Sequence, residues 1–179
     1  MSAYLTRTGR LPRTVFDLIA ARQLGQVATT AIVTRTFSKG LDVKDQPFDP
    51  YSTTPTNVST DNPRMRPRGG RKTKGGRSVH YAGGYRQYKR DTTGSDRVNL
   101  TLSGELQRAV AVLSATNTRI VIGVRGGAAR HGAYLQIQGR GRPARVWMGI
   151  SPNDRHVIRL ALRAIVVASL RRQGVGVVG

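Results

Sequence analysis

The stretch VNLTLSGELQRAVAVLSATNTRIVIGV, residues 98–124, carries the strand-like patterns of the chain. Apolar and polar residues alternate over 98–102, as they do in a strand with one buried face. Two further apolar runs, 109–113 and 118–124, flank the dipeptide Thr116-Asn117. Polar turn residues between two such runs predict a β-hairpin.

An amphipathic helix is expected before this region, over residues 11–39. Its apolar residues recur at three- and four-residue spacing, which places them on one stripe of a helix. Thr14 and Asp17 resemble a capping box, and Gly40 suits the helix end because glycine tolerates the left-handed conformation found there. The stripe comprises Phe16, Ile19, Ala20, Leu24, Val27, Ala28, Ala31 and Ile32.

A second long helix is expected after a short strand at 145–148. Ser151 suits its cap, Pro152 suits the first helical position, and Gly174 ends it. The order of helix, long loop, antiparallel strands and helix predicts an α+β fold, with two long helices packed on a small antiparallel β-sheet. The C-terminal tail, 174–179, either pairs with a neighbour's sheet edge or frays. The apolar face of the second helix comprises Val157, Ile158, Ala161, Leu162, Ile165, Val166 and Leu170.

The chain has 179 residues and a formal charge of +21, from 30 Lys and Arg against 9 Asp and Glu. So large an excess makes nucleic acid or an acidic protein surface the expected partner. Ten of the basic residues lie between Asp61 and Asp91, where there is no acidic residue. Residues 50–97 are expected to form an extended basic loop, because they have too little apolar surface to offset their ordering entropy.

Enzymatic and cofactor sites are not expected. The chain has no cysteine, which excludes disulfides, thiolate metal sites and cysteine nucleophiles. The segment 70–78 resembles a phosphate-binding loop, but Gly76 stands where that motif needs lysine. Asp42, Asp45 and Asp49 could gather a metal for nuclease chemistry, although a solvated turn is the favoured interpretation. No run of about 18 apolar residues occurs, so a membrane span is not expected.

The basic loop allows two interpretations besides that of a solvated surface loop. Its Arg and Lys could contact DNA phosphates, or they could dock on acidic surfaces of partner subunits. Its tyrosines could stack on bases or anchor a protein interface. The candidate contact residues, two of them outside the loop, are Arg64, Arg66, Arg68, Arg71, Lys72, Lys74, Arg77, Tyr85, Arg86, Tyr88, Lys89, Arg90, Arg142 and Arg145.

Three segments follow one another along the chain in a recognisable order. The first is FSKGLDVKDQPFDPYS, residues 37–52. The second joins Tyr88-Lys89 to VNLTLSGEL at 98–106, and the third joins QIQG at 136–139 to RPARVWMGIS at 142–151. In order and spacing they resemble motifs of the phage virion morphogenesis family, the tail-completion or neck proteins of Mu-like and related tailed phages.

The resemblance covers about residues 12–173 and implies a single tail-completion or neck domain over 1–179. Such a subunit would be a structural virion protein that forms a ring at the head–tail connector or tail end, with six copies favoured and twelve as the alternative. Its implied partners are further copies of itself, neighbouring connector, stopper and tail-tube proteins, and genomic DNA that passes through the channel without sequence specificity. The implied location is the virion, after assembly in the host cytoplasm.

The basic loop is longer than the family pattern and is expected to reach a neighbouring subunit or an adjoining ring. The alternative from another class is a basic stand-alone nucleic-acid-binding protein of ribosomal or nucleoid type. In that case the loop would lie on phosphates.

Overall fold

A computed structural model of the protein describes residues 16–61, 66–137 and 144–174. Within these ranges the chain forms five α-helices, one short π-helix and two small antiparallel sheets, which confirms the α+β class. None of these helices combines the length and the apolar character that crossing a membrane requires. The elements are α1 (Leu18–Val33), the π-helix (Thr34–Ser38), β1 (Thr56–Ser59), β2 (Arg71–Lys72), β3 (Ser78–Tyr81), α2 (Gly84–Thr93), α3 (Glu105–Ala109), β4 (Val110–Ala115), β5 (Ile120–Val124), α4 (Ala128–Ile137) and α5 (Pro152–Arg172).

Helix α1 begins at Leu18, later than the expected start at residue 11. Asp17 is its N-cap, and the Asp17 carboxylate accepts a hydrogen bond of 2.8 Å from the Ala20 amide. This bond satisfies one of the amides that the first turn leaves without a helical partner, so the helix starts here. Thr14, which was expected to take part in the cap, lies outside the described residues.

The hairpin predicted between the two apolar runs is present as β4 and β5, with Val110 opposite Val124. Helix α1 packs against this hairpin, and α5 packs against α1. A Cβ on Gly25 of α1 would come within 2.9 Å of the Val112 side chain. Glycine at this position therefore lets the helix backbone lie close to the sheet.

Two predicted strands, both within the described residues, do not form. Residues 98–102 are irregular, and Leu100 has a left-handed φ of 53° that breaks an extended path. Residues 145–148 are irregular as well. Both segments instead contribute apolar side chains to the core. Trp147 is fully buried, and its indole N–H donates a hydrogen bond of 3.3 Å to the Gly132 carbonyl.

The main core joins the end of α1 to the β4–β5 hairpin and to helices α3 and α4. The rings of Phe37 and Trp147 meet edge-on there, with centroids 5.6 Å apart. Phe48 brings the segment after α1 into the same core, and each such ring contributes roughly 1.5–3 kcal/mol by its burial. The buried residues of this core are Phe37, Phe48, Leu106, Val110, Ala128 and Trp147.

Residues 50–97 do not form the structureless loop expected from their composition. Three strands pair there in the order β1-β3-β2, with both pairings antiparallel, and α2 packs against β1 and β3. A second core of Val79, Tyr81 and Tyr88 holds these elements together. The expectation failed because it rested on aliphatic periodicity, whereas a few aromatic rings supply the buried area here.

Helix α5 begins as predicted. The Ser151 hydroxyl accepts a hydrogen bond of 3.0 Å from the Asp154 amide, and the Asp154 carboxylate accepts one of 3.1 Å from the Ser151 amide. This reciprocal capping box, with Pro152 in the first turn, determines where the helix starts. The helix ends before Gly174, which has a φ of 74°. Residues 175–179, most of the predicted C-terminal tail, lie outside the described residues.

Candidate functional site

Most of the predicted contact residues that lie at the surface are in and around one short edge strand. We call residues 66–77 the basic arm; it consists of β2 with the segment that precedes it and the turn that leads to β3. Its exposed cations are Arg66, Arg68, Arg71, Lys72, Lys74 and Arg77. Arg64, the remaining candidate of this stretch, lies outside the described residues.

The tip of the basic arm is a tight turn between β2 and β3. The Gly76 amide donates a hydrogen bond of 2.9 Å to the Thr73 carbonyl, and the Thr73 amide donates one of 3.0 Å to the Ser78 carbonyl. Gly76 has a φ of 67°, which glycine adopts without strain. No described atom lies within 4 Å of the position that a Cβ would take on Gly75 or Gly76. The two glycines are therefore exposed at the tip, while the carbonyls of Gly76 and Arg77 accept hydrogen bonds from Thr60.

The base of the basic arm is anchored on the second core. The Tyr81 hydroxyl donates a hydrogen bond of 2.6 Å to the Arg68 carbonyl. A Cβ on Gly70 would come within 2.6 Å of the Val79 side chain, so the arm lies directly on the core. Val79 and Tyr81 are themselves buried. The arm is thus held at its base while its charged side chains stay at the surface.

Tyr85 and Tyr88 belong to the support of the arm. They are part of a row of four tyrosine rings packed edge-on, in which the centroids of Tyr51 and Tyr85 lie 5.1 Å apart and those of Tyr85 and Tyr88 lie 5.3 Å apart. The ring centroid of Tyr88 in turn lies 5.4 Å from that of Tyr81. Tyr88 is fully buried, and this burial raises the pKa of its hydroxyl. Stacking on bases and direct interface contact are therefore both excluded for Tyr88 in this conformation.

Arg86 and Arg90, two further candidates on α2, have partners within the subunit. The Arg86 Nε lies 2.7 Å from a carboxylate oxygen of Asp96, and this hydrogen bond lowers the pKa of Asp96. The Arg90 Nε lies 3.5 Å from a carboxylate oxygen of Asp91. Exposed ion pairs add little stability, so both arginines are able to exchange these partners for others. Their charge is nevertheless partly neutralised, whereas no ion pair to an arm cation occurs among the described residues.

Arg145 joins two segments within the subunit. Its guanidinium lies 4.7 Å from the centroid of the Tyr51 ring, and its Nη2 donates a hydrogen bond of 3.4 Å to the Asp49 carbonyl. Burial raises the pKa of the Tyr51 hydroxyl, and the positive charge of Arg145 opposes that rise. These contacts give Arg145 a structural role within the subunit. Arg142 lies outside the described residues.

Lys89 was expected to be a contact residue, but only 2% of its surface is exposed. Burial lowers the pKa of its ammonium group because the charged form loses its hydration. Within the described ranges no carboxylate forms an ion pair with it. The interpretation of Lys89 as a surface contact is therefore wrong. Its burial is not predicted from the sequence, because Lys89 stands in a basic, acid-free stretch whose composition indicates a solvated surface.

The variant Lys89→Met is expected to raise the free energy of unfolding by about 1 kcal/mol at neutral pH. Methionine keeps the length of the side chain and removes a charge that is buried at a cost. Burial lowers the pKa of Lys89 in the folded state below the 10.5 of the unfolded chain, so the folded wild type becomes more stable as the pH rises from that lowered pKa to 10.5. The stability advantage of Lys89→Met should shrink over the same pH range. Urea unfolding measures both effects. The exposed Lys74→Met is the control, and a clear loss of stability in Lys89→Met would contradict the expectation.

A buried arginine that the sequence did not single out joins several segments near the end of α1. Arg35 lies in the π-helix, and its Nη1 donates a hydrogen bond of 2.7 Å to the Asp42 carbonyl. Its Nη2 donates to the carbonyls of Trp147 and Gly149, at 2.7 and 3.1 Å. Its Nε lies 3.2 Å from the Asp154 carboxylate, and both side chains are only 4% exposed. Arg35 therefore connects α1, the turn after it and the start of α5.

Two of the three aspartates considered as metal ligands have structural partners. One carboxylate oxygen of Asp42 accepts hydrogen bonds of 2.7 and 2.9 Å from the amides of Lys44 and Gln46. The Asp45 carboxylate accepts one of 3.0 Å from the Asn153 amide. In the part of the chain that is described, no three His, Asp or Glu side chains come together in a way that could hold a metal ion. The turn interpretation accounts for Asp42 and Asp45.

A second surface feature lies where α1 meets the start of α5. A groove of about 460 Å³ opens there. It is lined mainly by residues of these two helices and of the turn that follows the π-helix after α1. Next to it, four exposed residues at three- and four-residue spacing share one side of α5. We call Val157, Leu160, Ala164 and Ala168 the α5 stripe. Because Val157 also lines the groove, the groove and the α5 stripe are continuous.

No family model matches this chain, and no curated protein or solved structure matches it significantly. The resemblance to the phage virion morphogenesis family therefore stays a prediction from three sequence segments. The fold presents two surfaces suited to binding, the basic arm and the α5 stripe with its groove.

Proposed function

We propose that this chain is a structural, non-enzymatic subunit that assembles with further copies of itself into a ring at the head–tail connector or tail end of a tailed phage. The observation that carries self-assembly is the uncovered apolar surface of α5. The place in a virion rests on the resemblance of the three sequence segments. In this proposal the two long helices and the small antiparallel sheet form the body of the ring, and the basic arm extends from it.

Much of the apolar surface of helix α5 is left uncovered by the described part of the chain. Of its 21 residues, only Asp154, Ser169 and Leu170 are buried. Val157, expected to face the core, is exposed, and Leu160 leaves 51% of its surface accessible. A single exposed leucine needs no explanation, but a row of apolar residues beside an open groove is typical of an interaction surface. A neighbouring subunit would cover it.

A ring requires two different surfaces that meet head to tail. The α5 stripe and its groove are one such surface. The β4–β5 hairpin offers a second, because a bulge between Val112 and Ser114 accompanies an outward position of Leu113, which is 49% exposed. We assign the α5 stripe to one side of the subunit contact and Leu113 to the other.

The charge of the subunit determines the conditions under which it would assemble. Copies that each carry +21 repel one another, and α5 itself exposes Arg155, Arg159 and Arg163. Salt screens this repulsion, with a Debye length of about 30 Å at 0.01 M and about 3 Å at 1 M, but it does not weaken apolar contacts. Assembly is therefore expected to increase with salt concentration, in contrast to electrostatic binding of nucleic acid, which decreases.

Electron microscopy of the purified protein at high salt tests the proposal. We expect closed rings with a central hole, with six copies favoured and twelve as the alternative. An antibody label on intact particles should then lie at the neck or tail end. Monomers at every salt concentration would contradict ring formation, and a label elsewhere in the particle would contradict the assigned place.

The alternative is a stand-alone nucleic-acid-binding protein of ribosomal or nucleoid type, and the exposed basic arm favours it. A chain that stays monomeric and binds DNA with submicromolar affinity and a steep salt dependence would support this alternative. Weak DNA binding by a chain that assembles into rings would support the ring subunit.

A further inference from the structure

We propose that the basic arm binds the phosphate backbone of duplex DNA without reading its sequence. Ring formation gives the basic arm no binding partner, and duplex DNA is the ligand proposed for it. The proposal does not depend on ring formation, because the arm is carried by the β1–β3 sheet and α2, whereas the assembly surface belongs to α1, α5 and the β4–β5 hairpin.

The side chains of the arm suit phosphates better than a protein surface. Apart from Pro67, residues 66–77 contain no aliphatic or aromatic side chain, and they contain no acid. Stable protein interfaces have an apolar centre in which aromatic anchors are enriched and lysine is depleted. The apolar residues next to the arm, Val79 and Tyr81, are buried in the second core instead. Arg, Lys, Thr and backbone amides are the groups that contact phosphate oxygens.

The shape of the arm also suits a nucleic acid. Arg71 and Lys72 are neighbours on β2, so their side chains point to opposite faces of the three-stranded sheet, and both are exposed. Lys74 and Arg77 flank the two glycines of the tip, where the backbone can approach a phosphate closely. Strand β2 is an outer strand of its three-stranded sheet, so the cations of the arm can lie along the phosphate backbone of a duplex.

Protection of a sheet edge does not account for this charge. Strand β2 is at the edge of its sheet, and charged residues on such strands keep other chains from pairing with them. That task needs charge on the strand itself. Four of the six exposed cations, Arg66, Arg68, Lys74 and Arg77, lie outside β2.

The test is a salt titration of the full-length chain with a short DNA duplex of random sequence. Six phosphate contacts predict a slope of about −5 in log K against log[salt], equivalent to a roughly 10³-fold loss of affinity between about 50 and 200 mM. Replacing Arg71, Lys72, Lys74 and Arg77 by Gln should bring the slope to about −2, so that the same increase in salt costs only about tenfold.

The matched control removes the same charge from α5, by replacing Arg155, Arg159, Arg163 and Arg172 with Gln; all four are exposed. This variant should keep the wild-type slope. An equal reduction of the slope in both variants, an unchanged slope in the arm variant, or no DNA binding by the wild type would overturn the proposal. So would an arm variant that loses affinity for polyglutamate but not for DNA, because that result would assign the arm to an acidic protein surface.

Substitutions are preferable to a deletion of the arm. Deleting 64–78 would remove the Arg68 carbonyl to which Tyr81 is bonded, together with strand β2 and the first residue of β3. If the fourfold arm variant did not fold, Lys74→Gln with Arg77→Gln at the tip should still reduce the slope by about 2. If these slopes are not observed, the proposed ring is unaffected. A chain that stays monomeric but shows the expected slopes would contradict only the proposed ring.

Discussion

Replacing Arg35 by Met should lower the free energy of unfolding by about 3–5 kcal/mol, because it breaks a buried ion pair from one side. The Asp154 carboxylate would lose its charged partner while it is only 4% exposed. The carbonyls of Asp42, Trp147 and Gly149 would each lose a donor. For a chain of this size the change corresponds to a fall in Tm of roughly 10 °C. Urea denaturation and calorimetry measure the two quantities.

Two further variants show whether the loss comes from the buried pair. Arg22→Met removes an exposed arginine of α1 and should change the free energy of unfolding by less than about 0.5 kcal/mol. Asp154→Asn combined with Arg35→Met should cost less than the sum of the two single changes, by about 1–3 kcal/mol, because no buried charge is left alone. Fully additive costs, or a loss below about 1 kcal/mol in Arg35→Met, would contradict a coupled buried pair.

The features that the sequence predicted well are those that neighbouring residues determine. The start of α5 depends on Ser151 and Asp154, three residues apart, and the β4–β5 hairpin depends on one turn between two apolar runs. The expected start of α1 was wrong by several residues because Asp17, not an earlier residue, is the N-cap. Local patterns therefore predicted which elements exist better than where they begin.

The features that the sequence did not predict depend on contacts between distant residues. Tyr51 and Tyr81 are thirty positions apart, yet both belong to the row of rings that orders residues 50–97. Nothing in the local pattern separates the buried Lys89 from the exposed cations around it. Arg35 is a similar case, since three of its four partners, Trp147, Gly149 and Asp154, lie more than a hundred residues away. Composition predicted the charge of the basic arm, but only the fold shows which cations it presents.

The variant Leu160→Glu should prevent assembly without destabilising the subunit. Leu160 is 51% exposed in the subunit, so the change should alter the free energy of unfolding by less than about 0.5 kcal/mol. At a subunit contact the same change would forfeit the burial of a leucine, worth about 1.5–3 kcal/mol, and would place a carboxylate against an apolar surface at further cost. A total of about 4 kcal/mol weakens each contact roughly 10³-fold. Analytical ultracentrifugation at high salt should then show a monomer.

Arg159→Gln is the matched control, because it also lowers the net charge by one and lies on α5 about 100° around the helix from Leu160. It should assemble like the wild type or at slightly lower salt, since it reduces the repulsion between copies. Rings formed by Leu160→Glu would show that the α5 stripe is not the subunit contact. Because Leu160→Glu leaves the basic arm intact, a monomer with the wild-type salt slope on DNA would separate the two surfaces, whereas a lower slope would mean that DNA binding depends on assembly.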